Sequence, residues 1–171
     1  RMIGEGHGDV PDVRHFADLC QSGKIYEYAH NRLNGHDLDA EVSKEDRDRM
    51  KVSFYSGWMF CCLADMDRSL FGKAMTQDFP SVDAWVREQK PTVKGDDKAY
   101  ARFACACQRY EAALMVDALA VVFGREGIDV LTVHDASYVR ESQASEARRL
   151  LEREVLASLP VRPIVVEKPV R

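Results

Sequence analysis

Three residues along one charged stretch have the types and spacing to hold a nucleotide: Arg47, Lys51 and Tyr55, in the pattern R-D-x-x-K-x-x-x-Y that also contains Asp48. Arg47, Lys51 and Tyr55 fall at i, i+4 and i+8, so on a helix they line one face. Two cations a turn apart can grip a polyphosphate, arginine through a planar fork and lysine as a point charge. An aromatic ring one turn further on can stack on a base or pack on a sugar. A second group lies far downstream: His134-Asp135, inside Leu131-Thr132-Val133-His134-Asp135-Ala136-Ser137-Tyr138-Val139. A carboxylate held at the tip of a rigid hairpin is placed to bind a hard cation. Each group also has a plainer reading. The first could be a solvated charged face with one amphipathic tyrosine, and Asp135 could simply make a turn by bonding its own backbone.

The elements that must position these groups follow from periodicity and punctuation. Ser43, with Asp46 three residues later, marks a helix start with an acidic first turn, and a long helix is expected from about Lys44 to Asp65. Upstream, Pro11 opens one helix and Asn34-Gly35 closes a second, whose apolar stripe is Ile25, Tyr26, Ala29 and Leu33. Downstream, Leu70, Phe71, Met75 and Phe79 carry another helix. Ser81 is expected to cap a short one through Val82, Trp85 and Val86, and Gln89 to Asp97 reads as a surface loop. Lys98 to Arg125 is a long periodic segment that fits a mostly buried helix. The β-branched run from Ile128 to Val133, bounded by Gly127, reads as a strand, and Tyr138-Val139 as its return. Ser142 should cap a last helix with Ala147, Leu150, Leu151, Val155 and Leu156 on its apolar face, and Arg162 to Val166 reads as a final strand. The expected fold is α+β, mostly helical, with a small antiparallel sheet from 128–133, 137–141 and 162–167 that carries the His-Asp hairpin.

Taken together, the two motifs resemble those of the family A nucleic-acid polymerases and the related single-subunit phage-type RNA polymerases. That family has a fingers helix with Arg-x-x-x-Lys, followed in its DNA polymerases by an aromatic four residues on. It also has a palm hairpin with His-Asp, and between them a helix whose Gln approaches the primer-template. On this resemblance Arg47, Lys51 and Tyr55 would bind the nucleotide, and Asp135 would hold catalytic Mg2+ or Mn2+. His134 would lie near the primer terminus, and Gln108 would face primer-template. The resemblance covers about 12–168. It divides the chain into a loose segment 1–10, a helical fingers-like region 11–97 and a palm-like region 98–171. Two departures stand out. Met59 and Phe60 occupy the places where the family has Tyr-Gly, and Ala136 follows His-Asp where the family has Glu or Ser.

The implied activity is template-directed nucleotidyl transfer of the DNA polymerase kind, with nucleoside triphosphates and a primer-template as partners. Two-metal phosphoryl transfer calls for a second carboxylate. In the family it stands on an earlier palm strand, and no such strand precedes Pro11. The expectation is therefore that an upstream part of the same polypeptide supplies it, and that the chain alone is inactive. Two other readings stay open: a non-catalytic nucleic-acid or partner-binding domain, and a metal-dependent phosphohydrolase named for its His-Asp pair. The β-branched run before His134 opposes the last, because that family carries the pair on a helix.

Composition sets the frame. Charged residues make up 30% of the 171 and the net charge is −4, which gives no global attraction to nucleic acid, so any such contact must be local. No apolar run approaches ~18 residues, so no membrane span is expected. The five cysteines, Cys20, Cys61, Cys62, Cys105 and Cys107, are odd in number and lack C-x-x-C spacing. They read as reduced core thiols of a cytoplasmic protein without structural zinc.

Overall fold

The structure, a computed structural model, describes residues 9–92, 96, 98–133, 136–159 and 165–168. Chain contacts divide it into two units, Arg1–Cys105 and Ala106–Arg171. The first is helical. Its elements are α1 (Pro11–Gln21), α2 (Ile25–Asn34), α3 (Lys44–Phe54), a π turn (Tyr55–Met59), α4 (Leu63–Arg68), α5 (Leu70–Asp78) and α6 (Pro80–Glu88). α7 (Ala101–Ala112) runs across the division. The second unit continues with a π turn (Ala113–Ala118), α8 (Leu119–Arg125), strands β1 (Val130–Val133) and β2 (Ala136–Val139), and α9 (Ala144–Leu150).

Local chemistry explains most of the boundaries. Proline stands in the first turn of both α1 and α6, where its missing N–H is not needed. Gly35 ends α2 with φ 67°, a left-handed conformation that costs glycine nothing. Ser43 caps α3: its hydroxyl accepts the Asp46 N–H at 3.1 Å and donates to the Asp46 carboxylate at 2.7 Å. That hydroxyl holds the Asp46 carboxyl below its usual value. The connector from α2 to α3 is pinned by buried Asn31, whose amide donates to the Leu38 and Ala40 carbonyls.

The core of the first unit is aromatic and thioether-rich: Phe54, Trp58, Met66, Phe71, Met75, Phe79 and Phe103 are all buried. Phe54 packs edge-on against Tyr26, Trp58 and Phe71, a favoured ring geometry. A methyl group at Gly72 would overlap the Met66 carbonyl, so glycine is what allows α5 to lie this close to α4. In the second unit Leu119, Phe123, Ile128, Ala147, Leu150 and Leu156 form one cluster, with Val130 and Val139 of the strand pair packed on it.

Several expectations are corrected. The long helix expected over 44–65 stops being α-helical after Phe54, widens into the π turn and ends at Phe60 before α4 begins. Ser81 is not a cap: Phe79 holds that place, and the Ser81 N–H donates to Asp12 at 2.7 Å. Ser142 lies inside a short 3-10 turn, and Gln143 precedes α9. Lys90, expected in a surface loop, is buried. Lys98 to Arg125 is less buried than expected, with Tyr110, Val116 and Val121 exposed, because only one side of these helices meets the cluster. The sheet among the described residues has two strands. Of the expected third strand, Val165 to Glu167 are described and are not in a strand, although Val165 packs on the cluster. Cys61 is buried as expected, whereas Cys20 and Cys105 are exposed.

Candidate nucleotide-binding face

α3 is almost wholly polar, and only Phe54 of it is buried. Such a helix needs neighbours to hold it in place, and α2 supplies them. Arg47 Nε donates to Glu27 Oε1 at 2.7 Å, Nη2 reaches the Gly23 carbonyl at 3.4 Å, and the guanidinium lies 5.3 Å above the Tyr26 ring. The Arg47 side chain still keeps 38% of its exposure, so its outer edge meets solvent. Lys51, one turn on, is exposed, and its ammonium has no partner among the described residues. Asp48 is exposed as well. Tyr55 begins the π turn, half-buried, stacked on Phe60 with ring centroids 5.1 Å apart and edge-on to Phe54. The neighbouring Tyr26 phenol is pushed upward in pKa, first by burial and then by Tyr55 beside it.

The far end of this helical stretch is held by a buried polar network. The Lys90 ammonium reaches back from the end of α6 to the Trp58 carbonyl, to the Cys61 carbonyl at 3.0 Å and to Met66 Sδ at 3.3 Å. A cation among the last carbonyls of a helix satisfies acceptors with no helical partner and opposes the negative end of the dipole. Burial pulls the Lys90 pKa down from its usual value. Beside it the buried Asp83 accepts from Trp58 Nε1 at 2.7 Å, Thr76 Oγ1 at 2.9 Å and Arg87 Nε at 2.7 Å. Arg87 also donates to Asp67 at 2.7 Å.

In the second unit the strands pair antiparallel, with Val130 opposite Val139, Leu131 opposite Tyr138, Thr132 opposite Ser137 and Val133 opposite Ala136. Val130 and Val139 turn toward the cluster, while Leu131, Val133 and Tyr138 are exposed on the other face. An exposed ion pair, Arg140 to Asp129 at 2.8 Å, stands at the base of the strands. His134 and Asp135 stand between β1 and β2 in the chain and lie outside the described residues. Gln108 is exposed on α7 and makes no hydrogen bond among the described residues.

Of the expected site residues, then, the structure gathers Arg47, Lys51 and Tyr55 on one helical stretch. Gln108, His134 and Asp135 belong to the other unit. Among the described residues no group of three His, Cys, Asp or Glu side chains could hold a metal ion, so they do not by themselves furnish a magnesium site. The sequence reading missed Tyr26, Glu27, Asp83 and Lys90. From sequence Tyr26 reads as part of an apolar stripe and Lys90 as part of a loop, and no local pattern points to partners 20 to 32 residues away. No family model, no curated protein and no solved structure matches the chain.

Proposed function

We propose that the chain binds a nucleoside triphosphate through α3, as part of a nucleotidyltransferase. The particular reading is a DNA polymerase of the family A kind, in which this chain contributes a fingers-like helix and a palm-like hairpin. The observation that carries it is the arrangement on α3: a guanidinium fixed at its Nε, an unpartnered ammonium one turn on, and a tyrosine one turn beyond that. Arg47 and Lys51 act on the phosphates, and Tyr55 on the base or sugar. The strand pairing on either side of His134 and Asp135 supports a palm-like hairpin and weighs against the helical His-Asp phosphohydrolases. Magnesium or manganese, when bound, would neutralise phosphate charge. Asp135 is the ligand this chain offers, and a second carboxylate from elsewhere in a longer polypeptide completes the pair that two-metal chemistry needs. Gln108 faces a primer-template.

The second reading, a domain that binds nucleic acid or a partner without catalysis, draws on Met59 and Phe60. Phe60 covers the Tyr55 ring, and the helix unwinds there.

Steady-state kinetics of the full-length enzyme separate the two. A charge-assisted contact to phosphate contributes ~1.5–3 kcal/mol, so Lys51→Ala should cost roughly ten- to a hundred-fold in nucleotide KM, turnover or both. Duplex affinity should stay nearly unchanged, since many other phosphate contacts hold a duplex. Unchanged nucleotide kinetics in both Lys51→Ala and Arg47→Ala would leave α3 a charged surface and favour the non-catalytic reading.

A further inference from the structure

Two consecutive residues at the start of α2 contact Arg47, one of the three proposed nucleotide ligands. Glu27 holds Arg47 through Nε, and Tyr26 lies beneath the Arg47 guanidinium. We propose that Tyr26 and Glu27 are positioning residues: they aim the Nη edge of Arg47 at a bound nucleoside triphosphate. The proposal rests on the reading of α3 given above.

Glu27 could instead be a competitor that neutralises Arg47. The geometry opposes this. A carboxylate that competes with phosphate takes the guanidinium fork with both oxygens. Glu27 approaches side-on, one oxygen to Nε, and Nη1 has no partner among the described residues. The other Glu27 oxygen, Oε2, is enclosed without a hydrogen-bond partner. An enclosed, unpaired carboxylate oxygen is costly to a fold, so stability alone does not account for this placement. A fixed aim for Arg47 does, because phosphate recognition by the fork depends on its orientation.

A thermodynamic cycle on the chain itself tests this. Calorimetric titrations with dATP and, separately, ATP, each with Mg2+, would be run on the parent chain, Glu27→Ala, Arg47→Ala and the double variant, with thermal melts as a check on folding. Glu27→Ala should weaken binding about tenfold, within what coupling between contacting side chains supplies. In the Arg47→Ala background the same substitution should add nothing, because Glu27 acts through Arg47. Glu27→Gln, which can still accept from Nε, should lose less. If Glu27→Ala does not fold, Glu27→Gln and Tyr26→Leu, which removes the ring beneath the guanidinium, carry the same cycle. Tighter binding by Glu27→Ala would make Glu27 a competitor, and an equal loss in both backgrounds would make its role purely structural. Either result, or no change, overturns the proposal. Failure of the underlying reading looks different: no triphosphate binding by the parent chain, or affinity indifferent to both Arg47→Ala and Lys51→Ala, which overturns both.

Discussion

At the scale of single residues, Tyr26 concentrates several roles. It packs edge-on against Phe54 and lies under Arg47. Burial, and next Tyr55 beside it, raise its pKa above the ordinary tyrosine value of 10.0. Tyr28 is raised in the same direction by burial and by Asp78. The sign for stability follows. The unfolded chain begins to lose these protons near pH 10 while the folded chain keeps them, so the folded state binds more protons and stability falls as pH rises beyond that point. Below it the contribution is fully present. Thermal melts between about pH 9 and pH 11 should therefore show a steeper fall for the parent chain than for Tyr26→Phe. Parallel curves would mean that the Tyr26 proton is not linked to folding.

At the scale of elements, the notable feature is where α3 ends. An uninterrupted helix to Asp65 is the simplest reading of the apolar and charged pattern, yet the backbone widens at Tyr55 and stops at Phe60. Lys90 occupies the space at that end with its ammonium on the Trp58 and Cys61 carbonyls. Lys90→Met keeps the length and apolar stem but removes the donor. Each carbonyl left unpaired costs about 1–3 kcal/mol, and relief of the buried charge offsets part of that. A net loss of roughly 2 kcal/mol is expected, read as a lower urea midpoint by tryptophan fluorescence. An unchanged midpoint would show that the carbonyls find other donors. The same substitution should also weaken triphosphate binding, since the end of the π turn sets where Tyr55 stands.

At the scale of the whole molecule, the proposed triphosphate ligands belong to the unit Arg1–Cys105, and Asp135 belongs to Ala106–Arg171. Two-metal phosphoryl transfer with a single carboxylate lacks half of its ligand pair. The chain alone should therefore fail to extend a primer with Mg2+ or Mn2+ even if it binds triphosphate. On the proposed reading, a longer polypeptide that supplies the second carboxylate should extend one, and Asp135→Asn should abolish that extension. Extension by the Asn variant at the parent's rate, in a gel assay with labelled primer, would remove Asp135 from the mechanism. Among the described residues no helix is long and apolar enough to cross a membrane.

What the sequence determined by itself is what depends on near neighbours in the chain. The proline start of α1, the Gly35 stop, the Ser43 cap and the β-branched run that reads as a strand with a return at Tyr138-Val139 all rest on contacts within a few residues, and all are present. The spacing of Arg47, Lys51 and Tyr55 was legible for the same reason, since helical period alone puts them on one face. Tertiary structure decided the rest. Glu27 and Tyr26 became supports for Arg47 only because α2 packs on α3, and Lys90 became buried only because α6 ends beside the unwound turn. A lysine reads as a surface residue from sequence because its charge belongs in water. Two carbonyls and a thioether gathered from α4 and the end of the π turn reverse that preference, and no local pattern encodes such a gathering.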